Sequence, residues 1–179
     1  MEKHCVWKGV GVGAVSGLVA SWAMLAFIDG PGRRLLDMLK TDEDRKREAA
    51  RQERDGADTP ESVTMQAADV FASKSTGGKH LSLEGRKRGG TLVHYGFGAA
   101  MGAFYGGVVE LAPVVGAGVG IPFGTVLWAS TDLVSVPAVG FAKWPTDEPA
   151  AAHVTHWMAH VIYGMGLEAL RREGRRWVR

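Results

Sequence analysis

The chain has 179 residues, 22% of them charged, a net charge of +2 and a mean hydropathy of −0.03, averages that match an ordinary soluble domain. Its lysines and arginines alternate with acids instead of forming one basic field, so no nucleic-acid surface is expected. Cys5 is the single cysteine, which excludes an internal disulfide and any CxxC metal or iron–sulfur site and leaves a passive thiol.

The averages hide a bimodal pattern. Charges are absent from residues 9–28, 89–109, 111–131 and 149–167, while 24 of the 40 charges fall within 33–88. An uncharged apolar run of about 18 residues or more is long enough for a helix to cross about 30 Å of hydrocarbon. The expected fold is therefore all-α and polytopic: a bundle of about four transmembrane helices with glycine-rich packing faces and a polar helical insert between spans 1 and 2.

In chain order, residues 1–30 hold the first span, over 7–28, read as uncleaved and closed by Asp29-Gly30-Pro31-Gly32. Residues 31–90 form the polar insert. Its first part, 33–53, favours helix, and Thr59-Pro60-Glu61 reads as the start of a short helix with Val63, Ala67, Val70 and Phe71 on one side. Residues 91–172 carry the second span (91–111), the third (116–141, with kinks expected at Pro122 and Pro137) and the fourth (150–170). An Arg-rich tail, 173–179, follows. Trp7, Trp22, Trp144, Trp157 and Trp177 fall mostly near span ends, where an aromatic belt is expected.

Small residues recur at every fourth position. The sets are Gly9, Gly13, Gly17 and Ser21; Gly98, Gly102 and Gly106; and Gly116, Gly120 and Gly124. Each set shares one helix face, and in lipid such faces give close backbone packing between helices. Gly11-Val12-Gly13 is no nucleotide loop, since no strand precedes it.

The ionisable groups inside the spans are the candidates for chemistry. His153, His156 and His160 lie along one stripe of the fourth span, and His94 opens the second at the same membrane end. Asp132 and His160 should lie at similar depth. Three readings follow: His94 with a fourth-span histidine as axial ligands of haem b, a His/Asp set holding a divalent metal, or Asp132 and His160 passing protons or hydrogen-bonding a quinone. The competing reading makes the shallow histidines headgroup-level residues and the deep pair cross-helix glue. Glu110 and Glu168 cap spans at the opposite end, near Lys8 and Arg171, as interfacial anchors or ion-pair partners. Ser16, Ser21, Ser130 and Ser135 have no base beside them in the sequence and are expected to bond back to their own helices.

An ordered set of residues runs through the second half of the chain: His94, Val108-Val109-Glu110, Pro113, Ser135-Val136-Pro137, Gly140, His160, Leu167-Glu168 and Arg171-Arg172. It resembles the YagU-like bacterial inner-membrane proteins, a family defined by a domain of unknown function. The resemblance implies a multi-pass location in the bacterial cytoplasmic membrane and no established reaction, with His94, Glu110, Pro137, His160 and Glu168 as matching positions. Asp132 departs from that pattern.

The residues themselves give no catalytic motif. The preferred expectation is a non-catalytic anchor or accessory subunit, partnered by the lipid bilayer and by other membrane subunits or copies of itself. A haem- or quinone-binding redox subunit and a small proton-linked transporter are the alternatives. The positive-inside count nearly ties between the two sides, and both termini are placed in the cytoplasm.

Overall fold

A computed structural model describes residues 2–55 and 61–178, and the regular elements among the described residues are all helices, without strands. The elements are α1 (Glu2–Phe27), α2 (Arg33–Leu39), α3 (Asp42–Asp55), α4 (Val63–Thr76), α5 (Leu83–Leu111), α6 (Ile121–Ser130), α7 (Val136–Ala138) and α8 (Ala150–Trp177). Thr59 and Pro60, read above as a helix start, lie outside the described residues, as does the Cys5 side chain. Ser62 instead caps α4, its hydroxyl accepting from the Met65 amide at 3.3 Å.

The Asp29–Gly32 segment does not close the first helix. A π-turn, Ile28–Gly32, joins α1 to α2, so one rod runs on to Leu39. Pro31 explains the wide turn. Its ring would collide with the carbonyl four residues back, and adding a residue to the turn removes that collision without breaking the helix. Pro137 has a second π-turn before it, Thr131–Ser135, between α6 and α7.

The third stretch also differs from a single kinked helix over 116–141. Pro113–Gly116 is a 3₁₀ turn, Gly118, Val119 and Gly120 have positive φ, and α6 starts only at Ile121, with Pro122 in its first turn. Gly116, Gly120 and Gly124 therefore do not share one helix. Proline in a first turn causes no kink, because its missing N–H has no intrahelical partner there.

The long helices α1, α5 and α8 form the frame, with α1 packed on both others, α6 on α8, and α4 on the first turns of α5. Among the described residues one helix, Val6–Leu39, is both long and apolar enough to cross a membrane. α5 and α8 reach about 40 Å at 1.5 Å per residue. Their many glycines, together with the α8 histidines and arginines, dilute their apolar character.

The α1–α5 seam is built from glycine. A Cβ on Gly13 would meet the Gly102 carbonyl oxygen, one on Gly17 the Gly98 oxygen, and one on Gly106 the Gly9 oxygen. A second close seam joins α6 to α8, where a Cβ on Gly124 would strike the His160 carbonyl and one on Gly120 or Gly164 the other's carbonyl. Ala20, Tyr105, Val109, Leu127, Tyr163 and Leu167 fill the space between the seams.

The insert is tied to this frame by polar bonds. Asp69 accepts from the Leu81 amide at 2.6 Å and lies 2.7 Å from the His80 ring, which closes the α4–α5 hairpin. Met65 and Ala68 meet Gly90 and Gly89 of α5, whereas Phe71 stays exposed. Gln66 donates to the Phe141 carbonyl at 3.2 Å, joining the insert to the end of the third stretch.

Candidate functional site

The sequence-derived candidates divide into two polar centres, one at each end of the frame. At one end, Gly124 brings α6 against the backbone of His160. Asp132 lies two turns further along this direction, and on antiparallel α8 His156 lies one turn back from His160. The π-turn carries Asp132 to 3.3 Å from His156 Nδ1 and 3.8 Å from His160 Nε2. Thr131 Oγ1 adds a hydrogen bond to the carboxylate at 3.0 Å. The His160 Nδ1–H donates to the His156 carbonyl at 2.9 Å, one turn back on its own helix.

The other two histidines are used elsewhere. His94 Nε2 donates to the Ser21 carbonyl of α1 at 3.2 Å, and His153 Nε2 to the Pro145 carbonyl at 2.8 Å. Among the described residues no group of three or more His, Cys, Asp or Glu is arranged to hold a metal ion. Ser21, Ser130 and Ser135 each bond a carbonyl earlier in their own helical stretch.

At the opposite end, Glu168 is fully buried and meets three side chains. Arg171 grips both carboxylate oxygens at 2.7 and 3.0 Å, Arg172 reaches one at 2.6 Å, and Tyr105 donates at 3.0 Å. Arg172 also bonds the Gly116 carbonyl at 3.0 Å, which fixes the 3₁₀ turn. Nearby, Arg175 holds Glu110 with two bonds of 2.7 and 3.0 Å. A cleft of about 470 Å³ opens between Glu110, Pro113, Gly116, Ala117 and Arg172.

The sequence offers Glu168 as an interfacial anchor or an ion-pair partner near Arg171; the structure has the ion pair, and Glu168 is fully buried instead of interfacial. The signal that points to this is the Glu168, Arg171, Arg172 spacing, since residues three and four apart share a helix face. Tyr105 and Tyr163 were not singled out. The Tyr163 hydroxyl donates to the Gly98 carbonyl at 2.6 Å, across from α8 to α5, and nothing in its local sequence marks that long-range partner.

The family described as a protein of unknown function, DUF1440, matches residues 47–169. The chain belongs to that family. The DUF1440 region contains Asp132, the candidate histidines His94, His153, His156 and His160, and Glu168, but not the α1 side of the glycine seam, nor Arg171, Arg172 and Arg175. The two polar centres thus differ: one lies wholly within the DUF1440 region, and the other is completed by Arg171 and Arg172 just beyond it. No curated protein and no solved structure matches the chain.

Proposed function

We propose that the chain is a four-span protein of the bacterial cytoplasmic membrane, akin to the YagU-like proteins, acting without catalysis as an anchor or accessory subunit of a membrane complex. The observation that carries this reading is an inverted polarity. Leu92, Phe104, Val126, Val134 and Trp22 point outward, all at least 60% exposed, while Ser16, Ser21, Thr155, His160 and Glu168 are buried. In water such an exterior is an aggregation hazard; in lipid it is the solvated face, and the interior polar groups are satisfied inside the bundle, Ser21 and Thr155 by their own helices and Glu168 partly by Tyr105 of α5.

The π-turns favour the same reading. Hydrogen-bond disruption by proline is tolerated within a bundle that re-satisfies the freed carbonyls. Spans 2 to 4 correspond to α5, α6 with α7, and α8. The termini and the Pro113 turn then lie on the cytoplasmic side, and the insert and the Trp144 turn on the other.

Three measurements test it. Reporter fusions after the insert, the Pro113 turn, the Trp144 turn and the tail are expected to alternate between the two sides; release of the chain by alkaline carbonate overturns the membrane reading. Gentle detergent extraction is expected to return an assembly larger than one chain. A stable, lone monomer without any co-purifying protein overturns the anchor role.

A further inference from the structure

The cluster of Asp132, His156 and His160 is not needed for anchoring. Its hydrogen-bond geometry contains a conflict that one added proton resolves. A carbonyl oxygen only accepts, so the His160 Nδ1 facing the His156 carbonyl must carry a hydrogen. A neutral ring then leaves Nε2 as a bare lone pair, and that lone pair lies 3.8 Å from an oxygen of Asp132. With the carboxylate ionised, two acceptors would oppose each other at the level of the apolar exterior.

The partners of Asp132 among the described residues are Thr131, His156 and His160, none of which carries a permanent charge. His94 on α5 and Glu148 ahead of α8 are the further titratable groups facing the histidines. An uncompensated carboxylate here is costly, and a proton shared with imidazole removes most of that cost.

Position gives the cluster a direction. His156 lies one turn nearer the start of α8 than His160, whose side chain is only 10% exposed. We propose that Asp132, His156 and His160 form a proton-binding site between the second π-turn and α8, with His156 as its outer port. A proton arriving at His156 is shared with Asp132 across the 3.3 Å contact, with His160 Nε2 3.8 Å away as the inner acceptor, which changes the cluster from one net negative charge to neutral. Release reverses the path. Because the site straddles the α6–α8 seam, its occupancy sets the attraction across that seam.

The test uses the full chain in lipid nanodiscs with ¹⁵N-labelled histidine, following each imidazole against pH. Asp132→Asn is expected to weaken the proton affinity of His156 at least about tenfold, one pH unit in its midpoint. An unchanged His156 midpoint overturns the proposal. Should that variant fail to fold, the natural chain decides alone. Linked, two-step titration of His156 and His160 supports the shared site, and two independent single-step curves overturn it. Stoichiometric zinc binding that displaces these protons would also overturn it, by making the cluster a metal site.

Discussion

Glu168 sits where a lone acid would be strongly unfavourable, and its three partners are what make it tolerable. Removing one member of a buried ion pair leaves the rest uncompensated, at about 3–5 kcal/mol. Glu168→Ala is therefore expected to lower the thermal midpoint in detergent sharply, stranding Arg171 and the Tyr105 hydroxyl. Glu173→Gln, which loses an exposed ion pair with Arg176, should change stability by no more than about 0.5 kcal/mol. Equal losses in the two variants would show that burial of Glu168 contributes nothing.

Asp69 gives a second expectation at this scale. The His80 ring and then the Leu81 amide hold its carboxyl below the usual carboxylate range. A lowered folded-state value stabilises above the ordinary value and is lost as pH falls through the lowered one. The Leu81 amide should thus lose hydrogen-exchange protection progressively as pH drops below about 4. Protection that is flat from neutral pH to well below that range would refute the role of Asp69.

Among elements, the α1–α5 seam depends on backbones meeting without side chains. Gly102→Leu would drive atoms into the Gly13 carbonyl and Gly17, and overpacking of this kind costs about 1–3 kcal/mol or more. Gly96, one and a half turns away, has open space around it, so Gly96→Ala should be neutral. A comparison of unfolding midpoints checks both; a tolerated Gly102→Leu would mean that the helices do not approach as described.

These elements also show what could be read beforehand. The four-residue spacing of Gly98, Gly102 and Gly106 is plain in the sequence, because helical periodicity is a local property. The 3₁₀ turn at Gly116 and the left-handed residues before Ile121 were not legible, because that stretch is as apolar and glycine-rich as a span. Asp29-Gly30-Pro31-Gly32 reads as a stop by every local rule, yet the helix continues through a π-turn. Local propensity favours a break there, and the packing of this segment and α2 on α8 favours continuation. The pairing of Asp132 with His156 needed that second π-turn, which sequence spacing alone does not foretell.

For the molecule as a whole, the proposed membrane location sets two solvent regimes on one chain, one for the apolar exterior and one for the charged insert. Detergent removal from the purified protein is expected to cause aggregation, with reconstitution into lipid restoring dispersed particles on sedimentation. A monodisperse sample without detergent or lipid would sink the idea that Leu92, Phe104 and Val126 face hydrocarbon.

The continuous rod through Pro31 bears on reach. Val6–Leu39 measures about 51 Å at 1.5 Å per residue, against about 30 Å of hydrocarbon. In the four-span arrangement the surplus runs on past the hydrocarbon length as a mast braced against α8. The charged α3 is then launched from a fixed height above the headgroups, and α4, held to the first turns of α5, is stationed beside its base. A helix that ended at Asp29 would have left the insert on a slack tether. The π-turn instead gives it a set altitude, so that lengthening or shortening the mast by one turn shifts α3 by about 5 Å without altering any seam below.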